Sequence, residues 1–558
     1  MKRFAIVVAA LALGGSTMLE AQEPPQTRKY LVGVRGDAAL KQPLQQDFGI
    51  PAGRSFDRFD SVAGFVAELT PAEAEALKSS PSVRFVEPDY ERHLWRTSPP
   101  VRGRAANGGS VSAQVKVPGQ QIPYGIDVVQ ARRVWEFGRG ATIKVAVVDT
   151  GIDYNHPDLA DLYRGGIDIV NNDDDPMDDH LHGTHVAGTI AALDNDMGVV
   201  GVAPEIDLYA IKVLKRNSDG GASGASSGVI KAVDWAIEND MDILNLSLGS
   251  DESSILEREA FQRAADAGIL SIAASGNSYL DLKRDGIGFP AGYPTVMAIG
   301  AIDDRTSIAS FSQRGPQLSL VAPGVAVVST LPVGSADLPD VTVDGVEIPT
   351  VSLTGSPRGT VEGDFFFAGL GKTSDFTSSA RGKIAVINRG ELFFRDKARN
   401  AKEAGATGVI IINNLPGFTE FNGTLRPVDP ATGAPMFPED EFYEFPVTVG
   451  VTLEDGQKLL KTPAASIRVA VDAYDYGSLQ GTSMATPHVA GVAALVWSLA
   501  PEASAEMVRN ALEQGAKDIG GPGFDTVFGF GVVDAYQAVR ILAPEVFPEV
   551  PRRRAVRR

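Results

Sequence analysis

The sequence predicts an α/β protein whose largest domain has a mainly parallel β-sheet with helices on both faces. Apolar runs typical of buried strands recur between residues 120 and 330, namely TIKVAVVD, IDLYAIKVL, DILNLSLG, GILSIAAS and TVMAIGAI. Amphipathic helical patterns, VIKAVDWAIEN and LEREAFQRAADA, lie between them. Apolar strands that alternate with helices are typical of a parallel sheet in the middle of three layers. The functional sites of such sheets lie beyond the carboxyl ends of the strands.

The N-terminus has the order of a secretory signal peptide. Lys2 and Arg3 precede an apolar run from Phe4 to Leu13, and small residues follow. Such a run is too short to span a bilayer, and no later segment offers about 18 unbroken apolar residues. We therefore expect a signal peptide over 1–22, no membrane span, and secretion to the extracellular space or the periplasm.

The composition limits both the partners of the protein and its sources of stability. Seventy acidic residues against 51 basic ones give a net charge of −19, which disfavours nucleic acid as a partner and favours cations. The chain has no cysteine, so packing or bound ions must stabilise it without disulfides. A basic tail over 546–558, ending in PRRRAVRR, opposes the overall charge and is typical of a solvated end.

A small domain and a linker precede the main domain. Residues 28–93 combine strand-like runs with one short helix, for which Thr70 is the predicted N-cap and Pro71 the first helical residue. This pattern predicts an α+β domain. The polar, glycine-rich linker over 94–119 is typical of an exposed segment that is open to proteolytic processing.

The main domain is interrupted once. It is predicted over 120–331 and again over 472–545, where MATPHVAGVAALVWSLA supplies a helix and GFGVVDAYQAVRIL a late strand and helix. The intervening residues 332–471 are loop-rich at first and then contain a strand, a helix and a strand in RGKIAVINRG, FRDKARNAKEAGA and TGVIIINN. We interpret 332–471 as an inserted domain that has no catalytic constellation of its own.

Three residues that lie far apart in the chain are candidates for nucleophilic catalysis. Asp149 ends the strand KVAVVD, His182 opens the block HGTHVAG, and Ser483 begins a helical segment in GTSMATPHVAG. A histidine is the usual general base for a serine hydroxyl, and a carboxylate orients the histidine. Taken singly, these residues also fit a turn, a surface position or an N-cap. Together they predict a nucleophile, its base and an orienting group.

The sequence blocks around these residues resemble those of a known family. VVDTGIDYNHPDL, HGTHVAGTIAAL and GTSMATPHVAG resemble the three signature blocks of subtilisin-like serine peptidases, in the same order. The resemblance implies the subtilisin-like three-layer α/β/α fold. It also implies an endopeptidase in which Asp149 supports His182, His182 takes the proton of Ser483, and Ser483 forms an acyl-enzyme with a protein or peptide substrate.

The resemblance extends to residues that would stabilise the intermediate and bind substrate. Asn277 matches the side-chain donor of the family's oxyanion hole, with the backbone N–H of Ser483 as the second donor. Ser223 and Gly224 are expected to pair with the peptide from one side, and Gly288 to leave room for a large apolar side chain before the cleaved bond. The positions that match the substrate-binding strand and a wall of the pocket are Ser247, Leu248, Gly249, Ala274 and Gly276.

A further stretch, LDNDMGVVGVAP, resembles the family's high-affinity calcium loop. Calcium prefers six to eight oxygen ligands, many of them backbone carbonyls. The ligands that the resemblance implies for a structural calcium ion are Gln120, Asp158, Leu193, Asn195, Met197 and Val199. An ordinary acidic turn is the alternative interpretation.

The two smaller domains also resemble known modules. Residues 28–93 are similar to the family's inhibitor-type propeptide, which implies a zymogen whose propeptide is an intramolecular inhibitor until it is cut between 95 and 119. The insert, with GKIAVINRG and KEAGATGVIIINN, resembles a protease-associated domain.

Two other functions remain as alternatives. One is a binding or adhesion protein on a catalytically silent peptidase scaffold. The other is a metallohydrolase, because three of the six histidines lie within six positions, at His180, His182 and His185. The common zinc motif has a Glu after the first His and the second His four positions on, whereas here Gly183 follows His182 and His185 is three positions away. We therefore expect His185 to be a packed helix residue and His180 a solvent-facing loop residue.

Overall fold

The structure is a computed structural model, and it describes most of the chain. The described residues are 26–35, 45–51, 53–95, 119–218, 220–278, 286–417, 423–427, 436–437, 443–462 and 466–547. The predicted signal peptide, most of the predicted linker and most of the basic tail lie outside these residues. The chain divides into two compact units, the first within Met1–Arg58 and Ala63–Pro88 and the second within Phe59–Val62 and Asp89–Arg558.

The first unit is a small α+β fold. Its four strands form an antiparallel sheet in the order β2-β3-β1-β4. The elements are β1 (Arg28–Val34), β2 (Phe56–Arg58), β3 (Gly64–Leu69), α1 (Pro71–Lys78) and β4 (Val83–Pro88). Thr70 caps α1 as predicted, because its hydroxyl accepts from the Glu73 N–H while the Glu73 carboxylate accepts from the Thr70 N–H. This reciprocal pair fixes the start of the helix.

The second unit is built on a seven-stranded sheet in which all neighbouring strands are parallel. The strand order is β14-β13-β12-β11-β6-β8-β7. The strands up to the insert are β5 (Glu91–His93), β6 (Lys144–Asp149), β7 (Tyr163–Asp168), β8 (Asp207–Lys212), β9 (Lys215–Arg216), β10 (Ala222–Ala225), β11 (Ile243–Leu246), β12 (Leu270–Ala274), β13 (Val296–Ile302), β14 (Leu318–Pro323) and β15 (Val327–Thr330). The α-helices are α2 (Tyr124–Val128), α3 (His182–Ala191), α4 (Ser226–Glu238), α5 (Ile255–Asp266), α6 (Phe394–Glu403), α7 (Leu453–Leu459), α8 (Thr482–Ser498), α9 (Ala505–Gly515) and α10 (Ala535–Leu542).

Helices cover both faces of the parallel sheet. α8 packs against β11, β12, β13 and β14, and α3 packs against β6 and against α8. α4 packs with α5 and against β6, while α5 packs against β12. Because successive strand residues point to opposite faces, the apolar run of β6 serves both layers, and Val145 and Val147 join the core shared with α3 and α8. The architecture is the predicted three-layer α/β/α fold.

The insert contains two sheets. A four-stranded antiparallel sheet has the order β17-β16-β24-β19, and a five-stranded mixed sheet has the order β18-β23-β22-β21-β20. Its strands are β16 (Ala336–Val343), β17 (Val346–Ile348), β18 (Thr350–Ser352), β19 (Gly359–Gly363), β20 (Phe365–Phe367), β21 (Ile384–Asn388), β22 (Gly408–Ile412), β23 (Val447–Val451) and β24 (Ile467–Tyr474). β25 (Tyr476–Leu479) then returns to the main domain and pairs antiparallel with β15.

The prediction that the insert begins with loop-rich sequence is wrong. Five strands, β16 to β20, occupy this part of the insert. The longest of them, β16, pairs along its whole length with β24, from Ala336 opposite Tyr474 to Val343 opposite Ile467. The partner strand is therefore more than a hundred residues distant in sequence, and no local pattern in a segment rich in Pro, Gly and Asp reveals it.

The predicted late strand in GFGVVDAYQAVRIL is also wrong, whereas the helix after it is α10. Within this described stretch, Val532 makes isolated bridges to Val321 and Lys517 and belongs to no named strand. Gly531 has φ +120°, and Asp534 caps α10 by accepting from the Gln537 N–H. A left-handed residue before Val532 and a helix start after it leave too little extended chain for a strand.

Among the helices of the described residues, none is both long and apolar enough to cross a bilayer.

Candidate active site

Asp149 and His182 form a buried pair at the carboxyl end of the sheet. Asp149 is the last residue of β6, and His182 is the first residue of α3. His182 Nδ1 lies 2.9 Å from Asp149 Oδ1 and 3.0 Å from Oδ2, and Asp149 Oδ1 also accepts from the Thr150 N–H at 2.7 Å. Asp149 is fully buried. The carboxylate therefore holds Nδ1 in its protonated form and leaves Nε2 as the basic nitrogen.

Ser483 lies in the first turn of α8, the helix that packs on α3. Its hydroxyl donates to the Ser247 carbonyl at 2.9 Å, and the Ser247 hydroxyl donates to the Ser483 carbonyl at 2.8 Å. The first backbone N–H groups of a helix have no partner inside the helix, and the positive end of the helix dipole lies beside them. Ser483 therefore lies at the positive end of α8.

Asn277 is positioned next to Ser483 by the residue before that serine. The Asn277 side-chain oxygen accepts from both the backbone N–H and the hydroxyl of Thr482, each at 2.9 Å. These two bonds decide which side-chain atom is oxygen and which is nitrogen, so the Asn277 NH2 group must point away from Thr482. It donates instead to the backbone carbonyl of Trp95 at 3.0 Å.

A buried carboxylate behind the Asp149–His182 pair was missed by the sequence analysis. Asp178 accepts from the hydroxyls of Thr150 and Thr184, at 2.9 and 2.6 Å, and from the Thr184 N–H at 3.0 Å. Burial raises the pKa of Asp178. Because Thr150 follows Asp149 and Thr184 lies in the first turn of α3, this network ties the end of β6 to the helix that carries His182. Its only sequence signal was an Asp close to the histidine block, which a turn explains equally well.

The three clustered histidines have separate partners. His185 is fully buried in α3, and its Nε2 lies 3.0 Å from the Val327 carbonyl and 3.2 Å from the Gly477 carbonyl. Burial lowers the pKa of His185 to about 3, so its ring is neutral. His180 lies 3.0 Å from the Gly220 carbonyl and is half-buried, so the prediction that it faces solvent is wrong. Among the described residues, no three His, Cys, Asp or Glu side chains are grouped to hold a metal.

A segment of the chain itself occupies the predicted substrate-binding strands. β5 pairs antiparallel with β10, with His93 opposite Ser223 and Arg92 opposite Gly224. On its other side, His93 exchanges two backbone hydrogen bonds with Gly249, at 3.2 and 3.0 Å. The segment is therefore an added strand between two edges, which is how extended peptides bind to sheets. The structure brings Ser223, Gly224 and Gly249 together around this strand of the chain itself.

Trp95 ends the described part of this segment, and its ring lies against two glycines. A Cβ built on Gly288 would lie 2.3 Å from Trp95 Cη2, and one on Gly249 would lie 2.6 Å from Cζ2. Any side chain at either position would collide with the ring. The indole is 7% exposed, so these glycines form a pocket that accepts a large aromatic group.

The other predicted pocket residues are near Gly249 or Asn277 in the sequence. Leu248 is fully buried between Ser247 and Gly249, and Ala274 is the last residue of β12. Gly276 has φ +116°, and a Cβ there would lie 1.5 Å from the Gln313 side-chain oxygen, so only glycine fits.

The six residues of the predicted calcium loop converge. The side-chain nitrogen of Gln120 lies 2.6 Å from the Leu193 carbonyl and 3.2 Å from the Val199 carbonyl. Asp158 accepts from the Asn195 side-chain NH2 at 2.9 Å and from the Val199 N–H at 3.3 Å. Asn195 in turn accepts from the Met197 N–H at 3.1 Å. The Asp158 carboxylate thus accepts from two N–H groups, and two carbonyls face the Gln120 side chain.

Comparison with known proteins identifies the family. The profile of the Subtilase family matches residues 140–347 and 463–531. Subtilisin E of Bacillus subtilis strain 168 is 36% identical over 333 residues, which are 59% of this chain and 80% of that protein. The chain belongs to the subtilase family. Subtilisin DY of Bacillus licheniformis is 45% identical over 214 residues, which are 38% of this chain and 76% of that protein.

The other domains of this subtilase are identified as well. A PA domain profile matches residues 346–459, and the profile of the peptidase inhibitor I9 matches residues 46–95. A similar solved structure is the psychrophilic subtilisin-like protease Apa1 from the Antarctic psychrotroph Pseudoalteromonas sp. AS-11. Its TM-score is 0.51 at 31% identity, and the match covers 76% of this chain and 99% of Apa1. The protein is therefore a subtilisin-like serine endopeptidase with an inhibitor propeptide and an inserted PA domain, which sets aside the silent-scaffold and metallohydrolase alternatives.

Proposed function

We propose that this subtilase is a secreted endopeptidase, made as a zymogen, that cleaves after large apolar residues with Ser483 as its nucleophile. One observation carries this proposal: the Trp95 carbonyl accepts from Asn277 while the segment before it pairs as a strand with both edges of the cleft. A peptide held in this way presents the carbonyl of its last residue to the groups around Ser483, as the acyl part of a cleaved substrate does.

The proposed reaction begins when the Ser483 hydroxyl leaves the Ser247 carbonyl and turns to His182. His182 Nε2 accepts the hydroxyl proton as the Ser483 oxygen bonds to the substrate carbonyl carbon. Asp149 stabilises the resulting imidazolium through Nδ1. The imidazolium then gives its proton to the leaving amine as the carbon–nitrogen bond breaks, and the acyl-enzyme remains. Water, deprotonated by the same histidine, hydrolyses the ester and restores Ser483.

The negative charge of the tetrahedral intermediate lies on the former carbonyl oxygen. The Asn277 NH2 group already contacts such an oxygen, that of Trp95, and the backbone N–H of Ser483 is the proposed second donor. Thr482 fixes the orientation of Asn277 before the charge develops, so little reorganisation is needed during the reaction. Loss of one such donor in a subtilisin costs about 2.7 to 4 kcal/mol of transition-state stabilisation.

The preference for large apolar residues rests on the pocket around Trp95. Gly249 and Gly288 lie so close to the six-membered ring of the indole that a Cβ at either position would collide with it. Burying an aromatic side chain removes a large apolar area from water, which favours binding of similar residues before the cut.

One experiment tests both the maturation site and the identity of the nucleophile. When the full chain is secreted by a host, we expect the recovered enzyme to begin at Arg96, because Trp95 is the residue held at Asn277. We also expect a serine-directed phosphonate to label it once, at Ser483. Edman sequencing and mass mapping of the label measure both. An unlabelled protein of correct size would contradict the enzyme mechanism, and a different N-terminus would contradict the proposed cleavage position.

Calcium is the proposed structural cofactor, and the donor set fits it. Side-chain amide oxygen and nitrogen exchange places by a simple flip. A flip of Gln120 would bring its oxygen beside the carbonyls of Leu193 and Val199, and three such oxygens stay together only around a cation. The proposed ligands are Gln120, Asp158, Leu193, Asn195, Met197 and Val199. Bound calcium would join the segment around Gln120, which precedes α2, to this loop and stabilise both.

The second prediction is that calcium raises the melting temperature. At a concentration about 1,000 times the dissociation constant, a ligand that binds only the folded state adds about 4 kcal/mol, which corresponds to roughly 4 °C for a chain of this length. Calorimetry of the phosphonate-inactivated enzyme, with and without a chelator, measures the shift without autolysis. Asp158→Asn should abolish the shift, and Asp161→Asn, an exposed carboxylate in the same region, should retain it. If the chelator does not lower the melting temperature of the inactivated enzyme that has neither substitution, the calcium site is contradicted.

A further inference from the structure

Arg92 is a charged side chain enclosed completely within the second unit. Both its side chain and that of Glu257 have no exposed surface. The guanidinium makes a bidentate contact, with Nε 3.0 Å from Glu257 Oε1 and Nη2 2.6 Å from Oε2. Its Nη1 donates to the Ser250 hydroxyl at 2.5 Å and to the Glu91 carbonyl at 3.1 Å. Every edge of the planar group is thus matched by an acceptor.

The carboxylate that receives Arg92 is held in place by its own neighbours. Glu257 lies in the first turn of α5, where Ser254 is the N-cap and accepts from the Glu257 N–H. The Glu257 carboxylate is turned into the pocket, and the Tyr293 hydroxyl donates to its Oε2 at 2.8 Å. That hydroxyl also accepts from the Ser254 N–H at 2.9 Å. The pocket is therefore preorganised around a negative charge.

A buried charge pair of this kind discriminates strongly between occupants. Removing both ions from water is costly, and their contact offsets that cost only when the geometry is good and each is fully hydrogen-bonded. Burial lowers the pKa of Arg92, but the charge and hydrogen bond of Glu257, together with those of Tyr293, outweigh burial, so the net pKa is raised. A neutral or acidic side chain in the same pocket would leave the Glu257 carboxylate buried without its partner. Such an unpaired buried charge would strongly weaken binding.

The position of Arg92 in the bound segment indicates which residue of a substrate the pocket would hold. Trp95 presents its carbonyl to Asn277, and Arg92, in β5, is three residues before Trp95 in the same bound segment. Counted back from the bond after Trp95, Arg92 is the fourth residue. A substrate that binds by the same backbone pairing places its own fourth residue against Glu257.

We propose that this peptidase selects substrates with an arginine at the fourth residue before the cleaved bond, and that Glu257 is the residue that recognises it. The inference rests on the proposed function, because it assumes that substrates follow the path of residues 92–95. The substrate class is a peptide with the pattern Arg-x-x-aromatic. The competing possibility is that the ion pair serves only to hold the chain's own segment.

The test compares two peptides that differ only in charge at the fourth position. One has the sequence Arg-His-Leu-Trp before a fluorogenic amide, and the other has citrulline in place of arginine, which keeps the shape but is neutral. With the matured wild-type enzyme, we expect kcat/KM to be at least about thirty-fold higher for the arginine peptide, the lower end of what loss of one partner from a buried charge pair produces.

Variants then assign the effect to one carboxylate. In Glu257→Gln, kcat/KM for the arginine peptide should fall until the two peptides differ only a few-fold, while the citrulline peptide is cleaved at its former rate. Glu259→Gln, two residues along α5 and so on another side of the helix, should keep the wild-type ratio.

The outcomes separate this proposal from the one on which it rests. Equal cleavage of both peptides by the wild-type enzyme would overturn arginine selection and leave the peptidase mechanism standing. A ratio that persists in Glu257→Gln would overturn the role of Glu257. Failure to cleave either peptide, together with absence of phosphonate labelling, would overturn the proposed function itself.

Discussion

Ser483→Ala is expected to lower kcat for peptide hydrolysis by about a million-fold, the size of loss that subtilisin shows when its nucleophile is removed. The substitution deletes the only atom that the proposed mechanism bonds to the substrate carbonyl carbon. The oxyanion donors and the substrate cleft remain, so a residual acceleration of about a thousand-fold over water is expected. Once the propeptide has been removed in trans by wild-type enzyme, peptide affinity should change little, because Ser223, Gly249 and Asn277, which hold the bound segment, are unchanged.

The measurement is the steady-state rate of hydrolysis of a fluorogenic peptide at a protein concentration determined by absorbance, together with the size of the secreted product. In a host that lacks other proteases, Ser483→Ala should accumulate as uncleaved precursor. Ser498 lies at the other end of the same helix, and its hydroxyl donates to the Leu495 carbonyl. Ser498→Ala is the control and should behave as wild type. Normal maturation of Ser483→Ala in that host would show that self-cleavage is not how the propeptide is removed.

Asp149→Asn is expected to lower kcat by about ten thousand-fold, as the equivalent change does in the chymotrypsin triad. The carboxylate accepts from His182 Nδ1, and an amide in its place would offer an N–H to that nitrogen instead. The imidazole would then carry its proton on Nε2 and could not accept one from Ser483. The imidazolium that forms later would also lose its stabilising charge.

The distinction between a chemical and a structural defect comes from measurements besides kcat. KM and the melting temperature of Asp149→Asn should stay near the wild-type values, since Asn has the same shape and Asp149 is not in the pocket that holds Trp95. Asp174→Asn, in the exposed loop before α3, is the matched control and should retain full activity. A parallel loss of stability and activity would indicate that Asp149 supports the fold rather than the reaction.

The sequence predicted the architecture well where one local pattern decides it. The apolar runs of β6, α3 and α8 show in the sequence where these elements begin or end, so the sequence assigns Asp149, His182 and Ser483 to element ends, where they lie in the structure. The parallel sheet followed from the same runs. The strands of the first half of the insert could not be predicted, because their pairing with β24 depends on residues far along the chain.

The Arg92 pocket could not be predicted from local sequence either. Ser254 followed by Glu257 is the pattern of an N-cap with an acidic residue in the first turn, and nothing local distinguishes a capping carboxylate from one that faces a pocket. Arg92 lies 165 positions earlier in the sequence, in a strand whose charged residues suggest that it is exposed. Only the folded chain brings the two together, so the specificity they determine is a property of tertiary packing.

The ladder between β15 and β25 has a consequence for the insert that concerns chain entropy. Thr330 pairs with Tyr476, so in the main domain the insert is the loop of a β-hairpin. Closing a flexible loop of about 145 residues instead of about four would cost roughly 3 kcal/mol more. The insert avoids this cost because its own outer strands pair from Ala336 and Tyr474, which brings the loop ends together before the ladder forms. Since the ladder also supplies both carbonyls that hold His185, unfolding of the insert would reach the helix that begins with His182.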